Sequence, residues 1–331
     1  MSKENFEHKV AQVDDPSKFD IAELDDEVLD SKDTKSYSQG QLVLRRFLHH
    51  RGAMISTIFL TFIILLAFTS LGFGPIPGWW KHNFIDPLPV VNGGAPTISW
   101  TGLGEHPMGQ DNVGKDYFAL IMRGTQKSII IAFVVGLVST FIGTVVGALS
   151  GYLRGPVESI LMRVTDLFIV IPMLVLAAVI GSMFGNKGIM LLAVMLGLLS
   201  WTGLARLVRG EVLSLREREF VSAAQALGAP TSRIIIRHIL PNCLGTIIVS
   251  ATLSIASAIL LETSLSYLGF GVKAPETSLG LLISNYQQTF STRPWLFFWP
   301  AALILAIALA INFIGDGLRD AFDPRQKGKV N

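Results

Sequence analysis

The sequence predicts an all-α polytopic membrane protein with six transmembrane helices. Three observations carry that prediction. Half of the 331 residues are hydrophobic while only 16% are charged, against about 25% in ordinary soluble proteins. Several apolar runs are long enough to cross a hydrocarbon core about 30 Å thick, which takes roughly 20 residues of helix. Arginine also concentrates in particular polar segments between those runs, an asymmetry that sets membrane orientation.

In chain order, residues 1–41 come first, an acidic tail. Eleven of the 25 acidic residues lie within the first 36 positions. Such a segment buries too little surface to offset its ordering entropy, so it reads as a disordered cytoplasmic tail. Residues 42–123 form the first transmembrane helix and an external segment. Arg45, Arg46 and Arg51 lead into the apolar run 53–73, and 74–126 follows with Trp79, Trp80 and Trp100 suited to an interface or an external cap. A transmembrane domain at 124–317 holds the runs 129–149, 167–184, 189–208, 244–268 and 295–314, and 318–331 is a second tail. Arg206, Arg209, Arg216, Arg218, Arg233 and Arg237 cluster after the fourth run, and Arg319, Arg325, Lys327 and Lys329 lie near the C terminus. By contrast, 74–126 carries only Lys81, Lys115 and Arg123 beside four acidic residues. Positive charge marks the cytoplasmic side. The expectation is a multi-pass cell-membrane protein, surrounded by lipid, with both termini and the 209–241 loop in the cytoplasm.

Within the runs, Ser139, Gly143, Gly147 and Gly151 recur every four residues. That spacing lets another helix approach closely, either from a second subunit or from this chain. Pro172 falls early in the third run and is expected to bend it. Glu262 lies deep in the fifth run, where an ionisable side chain usually faces a bundle interior or a cavity. It is a candidate pathway or helix-seam residue, and pairing at a seam is the favoured reading.

Catalytic chemistry is not legible. Residues 109–116 (GQDNVGKD) have the glycines and lysine of a phosphate loop. Asp116 stands where a magnesium-binding hydroxyl belongs, and neither a preceding strand nor an immediate helix signal is present. It reads as a false match. The histidines are dispersed and no metal-ligand spacing appears, so no metal is expected; the single cysteine, Cys243, reads as a small buried side chain. A net charge of +2 without a concentrated basic face argues against a nucleic-acid partner. An ion-coupled carrier would show more buried ionisable groups and an internal repeat of spans. A carrier or channel using Glu262 therefore remains only the alternative.

The stretch 219–241 (EFVSAAQALGAPTSRIIIRHILP) interrupts the apolar runs with helix punctuation. Phe220, Ala223, Ala224 and Leu227 fall at helical spacing and predict one small-residue apolar face. Gly228 suits a left-handed helix end, Pro230 the start of a second helix, and Pro241 its stop. The result is a compact cytoplasmic hairpin between spans four and five.

That stretch resembles the coupling loop of membrane subunits of bacterial ABC importers, patterned Glu-Ala-Ala, three residues, Gly, nine residues, Ile, one residue, Leu-Pro. Ala223, Ala224, Gly228, Leu240 and Pro241 fall on that spacing, whereas Ser222 replaces the Glu and His238 the Ile. Residues 237–242 (RHILPN), 107–116 (PMGQDNVGKD), 262–271 (ETSLSYLGFG) and 312–324 (NFIGDGLRDAFDP) are similar to segments of the dipeptide and oligopeptide permeases. The chain, from Leu42 to Arg325, looks like the C-type permease subunit of that peptide/nickel family.

The resemblance implies a type I ABC importer permease fold and a non-catalytic subunit. It implies no cofactor on this chain, with ATP and magnesium held by two partner ATPase subunits. A second, B-type permease subunit and an external solute-binding protein complete the implied assembly, which would carry di- or oligopeptides. The loop would dock on the ATPase. The coupling loop would comprise Phe220, Ser222, Ala223, Ala224, Leu227, Gly228, Arg233, Arg237, Leu240 and Pro241, with the apolar face of Phe220, Ala223, Ala224 and Leu227 as the buried seam. Each arginine either rims that seam or only marks the cytoplasmic side, the latter being favoured.

Overall fold

The computed structural model describes residues 39–98, 102 and 104–322. Expectations for the acidic tail, Trp100, Arg325, Lys327 and Lys329 lie outside the described residues. Contacts divide the chain between Leu42 and Val43, and the architecture below is that of the second unit. Helix α1 (Gln39–His49) runs across that boundary.

Helix α2 (Arg51–Ser70) begins where the His50 ring accepts a hydrogen bond from the Ala53 amide at 3.0 Å. A two-stranded antiparallel hairpin, β1 (Gly72–Phe73) and β2 (Ile76–Pro77), follows it. Helix α3 (Tyr117–Leu153) is the axis of the fold. It packs against α2, α6 (Ile189–Gly197), α7 (Thr202–Arg216) and α10 (Leu240–Tyr267). Helices α4 (Gly155–Val170) and α5 (Met173–Phe184) come between, α8 (Glu219–Ala226) and α9 (Thr231–Ile234) form the hairpin, and α11 (Leu279–Tyr286) and α12 (Trp295–Phe322) close the chain.

Among the described residues, four continuous helical stretches are long and apolar enough to cross a membrane: α2, α3, Thr231–Tyr267 and α12. Two bent pairs, α4 with α5 and α6 with α7, bring the number to six if each pair is one span. Apolar side chains exposed along α2, including Ile55, Ile58, Phe62 and Leu65, recur at helical spacing. That suits lipid as the surrounding solvent, which satisfies apolar groups but no backbone polar group.

The spans depart from the sequence expectation in their extents. Helix α3 starts at Tyr117, directly after the 109–116 loop and well ahead of residue 129. Asp116 caps it by accepting from the Ala119 amide at 2.7 Å. Polar residues disguised this first stretch, and two of them, Gln126 and Thr125, find partners within the chain. Gln126 donates to the carbonyls of Ala67 at 2.7 Å and Gly72 at 3.0 Å, and Thr125 to that of Ile121 at 2.8 Å.

The third span is not one bent run over 167–184. It breaks completely at 171–172, with an 85° angle between α4 and α5. Ile171 is extended (φ −81°, ψ 128°), as sterics demand of a residue before proline. The 12 residues of α5 rise only about 18 Å, too little to cross alone. The fourth span also bends, by 41°, at the turn 198–201.

The small-residue seam packs within this chain. A Cβ on Gly143 would sit 2.9 Å from Leu204 Cβ, one on Gly147 2.6 Å from the Ala205 carbonyl, and one on Gly151 2.9 Å from the Arg209 carbonyl. All three face α7. Ser139 is buried and bonds back to the Gly136 carbonyl at 3.1 Å. Asp166 pairs with Arg206 at 2.5 Å and so links α4 to α7.

Candidate functional site

The hairpin at 219–241 is built against the C-terminal end of α3. Helix α8 ends at Leu227, where Gly228 takes φ +75°. The Gly228 amide bonds to the Gln225 carbonyl at 2.9 Å and the Ala229 amide to that of Ala224 at 3.1 Å. This paired closure satisfies carbonyls that a helix end otherwise leaves orphaned. Pro230 then precedes α9, with its carbonyl accepting from Ile234 at 3.1 Å.

Pro241 does not stop the second helix. A five-residue π turn, Ile235–Ile239, widens the ladder, and α10 continues with Pro241 in its first turn. The wide turn accommodates a ring that lacks a donor and crowds the carbonyl before it. The hairpin's second arm and the fifth span are therefore one continuous helical rod, Thr231–Tyr267.

Side chains hold the knob in place. Val221, Ala224, Ile234, Ile235 and Ile239 are buried in one cluster with Tyr152, Val208 and Val212. Full burial of a valine such as Val221 stabilises by about 1.5–3 kcal/mol. Gln225 donates to the Tyr152 hydroxyl at 3.1 Å, and the Arg216 guanidinium lies 5.4 Å over the Tyr152 ring. Arg154 pairs with Glu217 at 2.5 Å.

The apolar face is divided rather than uniform. Ala224 turns inward with Val221, while Ala223 and Ser222 are exposed, with Phe220 41% and Leu227 88% exposed. At about 100° per residue, the apolar stripe of α8 is wide enough to have two edges. The Val221–Ala224 edge meets the chain's own core, so Ala224 does not belong to an outward seam. Phe220, Ala223 and Leu227 form the outward edge. Arg233 and Arg237 are exposed beside it, Leu240 packs partly onto the buried cluster, and Pro241 is exposed. Val221 escaped sequence reasoning because its role depends on which side α3 lies.

Glu262 is sealed in a seam. It is fully buried, accepting from Ser266 at 2.7 Å and Ser128 at 3.3 Å. Ser128 also accepts from the Leu279 amide at 3.1 Å, so the carboxylate ties α3, α10 and the start of α11 together. Elsewhere, two of the histidines that look dispersed in sequence meet. The His82 and His106 ring centroids are 4.8 Å apart.

Residues 143–328 match the family described as binding-protein-dependent transport system inner membrane component. The chain belongs to that permease family. Residues 38–83 of the permease also match the N-terminal transmembrane domain of oligopeptide transport permease C. Over 300 residues it is 37% identical to the oligopeptide transport system permease protein OppC of Mycobacterium tuberculosis (strain ATCC 25618 / H37Rv), covering 89% of this chain and 97% of that protein. With OppC of Escherichia coli (strain K12) it shares 37% identity over 283 residues, 86% of this chain and 90% of that one.

A chain of the MetNI methionine ABC transporter, solved in inward-facing conformations, has the same fold. The TM-score is 0.51 at 21% identity, covering 62% of this chain and 97% of that one. The permease is thus an inner-membrane transport component with the type I ABC importer fold. The ion-coupled carrier alternative is not favoured, and the enclosed seam position of Glu262 agrees with that.

Proposed function

We propose that this permease forms half of the translocation pathway of an ATP-driven peptide importer. In this reading the hairpin at 219–241 seats in a groove on a cytosolic ATPase and receives its mechanical work. The single observation that carries it is the outward apolar edge, Phe220, Ala223 and Leu227, presented by a knob fixed to α3. Large apolar side chains left uncovered on a rigid element mark a partner surface. A flexible loop would absorb displacement, whereas the continuous rod Thr231–Tyr267 passes it into the membrane. Arg233 and Arg237 supply a polar rim of the kind that surrounds such seams.

The assembly in this reading has a second, B-type permease subunit, two ABC ATPase subunits holding ATP and magnesium, and an external solute-binding protein. The arginine distribution supports a cytoplasmic hairpin and cytoplasmic termini. The names of the relatives support peptides as the substrate class. The test is ATP-dependent peptide uptake in vesicles by the reconstituted assembly carrying Gly228→Asp or Leu227→Asp. Uptake is expected to fall at least tenfold while the permease inserts normally. Normal uptake by both variants contradicts the coupling role.

A further inference from the structure

The segment between the first two spans carries a side-chain cluster at the end of α3 opposite the hairpin. A helix of 37 residues is roughly 55 Å long, so the two features are far apart. His106 is nearly fully buried, and its Nδ1 lies 2.7 Å from Asp116 Oδ2. Asp116 also accepts from Trp80 Nε1 at 3.0 Å and from the Ala119 amide at 2.7 Å. With Nδ1 engaged by Asp116, Nε2 is the ring nitrogen of His106 left for a ligand. His82 lies beside it, with Glu105 Oε1 3.9 Å from His82 Nε2. One ligand atom from each of His82, Glu105 and His106 lies within 4.8 Å of the others.

We propose that His82, Glu105 and His106 form a binding site for a divalent transition-metal ion of the zinc class, with Asp116 as the positioning carboxylate. Two imidazoles and one carboxylate are a donor set that such ions prefer over magnesium or calcium. A metal-binding histidine typically donates its other ring nitrogen's proton to a carboxylate or carbonyl, which fixes tautomer and orientation. Asp116 does this for His106. Bonds of about 2.05 Å at the tetrahedral angle place donor atoms about 3.3 Å apart. The cluster is open by comparison, so its donors draw together on binding, and Glu105, whose side chain is 64% exposed, has room to rotate. Three protein ligands leave a fourth position for water or for a donor from a partner. A bound ion cross-links residue 82 to residues 105–106 and so fastens the segment over the start of α3. Without it, Glu105 is held to His82 only by a 3.9 Å contact at a largely exposed carboxylate, worth little.

The test uses full-length permease, purified without a polyhistidine tag and reconstituted in nanodiscs. Cobalt is titrated and followed by its visible absorption, then displaced with zinc, and retained zinc is counted after dialysis. The expected result is one equivalent of retained zinc and a cobalt spectrum of low-coordinate type. His82→Ala is expected to weaken zinc binding at least tenfold, as is Glu105→Ala, while the control His49→Ala binds like the parent. Both test positions are partly solvent-facing, so their variants fold even where His106→Ala does not. Failure of the parent to retain zinc overturns the proposal, as does retention unchanged in His82→Ala and Glu105→Ala.

Discussion

Replacing Gly147 tests the packing that holds the hairpin's platform together. An added Cβ would meet the Ala205 carbonyl at 2.6 Å and Val208 Cβ at 2.7 Å. Ordinary contact begins near 3.4 Å, and neither a backbone oxygen nor a Cβ can rotate away. Helices α3 and α7 must therefore separate, at a cost of about 1–3 kcal/mol for such overpacking. Part of this is offset because alanine is favoured over glycine in a helix interior by about 1 kcal/mol. The control is Gly210→Ala on α7, where nothing lies within 4 Å of the added atom; it should keep the full helical gain. The assay is thermal unfolding of the detergent-purified protein. Gly147→Ala is expected to melt below the parent and Gly210→Ala at or above it, with Gly147→Val lowest of all. A Gly147→Ala protein as stable as Gly210→Ala would refute the close α3–α7 contact.

Further outcomes follow from the same geometry. Val221→Ala removes apolar groups from the hairpin's anchor at about 0.8 kcal/mol per buried methylene-sized group; limited proteolysis at 219–241 should accelerate while membrane insertion is unchanged. Glu262→Gln keeps a carbonyl acceptor for Ser266 and offers Ser128 an amide donor in place of the second oxygen, so ATP-driven uptake should persist. Glu262→Leu leaves those hydroxyls without their partner, at about 1–3 kcal/mol for each polar group stranded, and should lower the melting temperature. Burial and the neighbouring Asp111 carboxylate, which accepts from the phenol at 3.0 Å, push Tyr286 above the ordinary tyrosine range. Because the folded state favours the neutral phenol, this contribution is complete below about pH 10. It is lost as pH rises toward the folded value. Tyr286→Phe should therefore flatten the stability profile above pH 10, and an unchanged profile would contradict that contact.

What the sequence made legible were features governed by local chemistry. Gly228 ends a helix because of its own backbone freedom, and Pro172 breaks one because of its ring. The four-residue spacing of Gly143, Gly147 and Gly151 announced a close helix approach, but only the position of Leu204, Ala205 and Arg209 decided which helix approaches. Features that depend on distant partners were hidden. The stretch 117–128 looks too polar for a span because the carbonyls that satisfy Gln126 belong to Ala67 and Gly72. Pro241 reads as a stop because a π turn leaves no compositional trace. The split between Val221 with Ala224 and Phe220 with Leu227 required knowing where α3 ends. His82 and His106 are brought together only by the fold of the segment between them.

The coupling reading is tested most directly by cross-linking from the exposed tip of the hairpin. The chain's one cysteine, Cys243, is buried, so Leu227→Cys places a single accessible thiol on the outward edge. In the assembled transporter, a short bifunctional thiol–amine reagent is expected to join this position to the ATPase subunit. The yield should change when ATP is added. Absence of any ATPase adduct from position 227, in an assembly that still takes up peptide, would contradict the hairpin as the point where work enters the membrane.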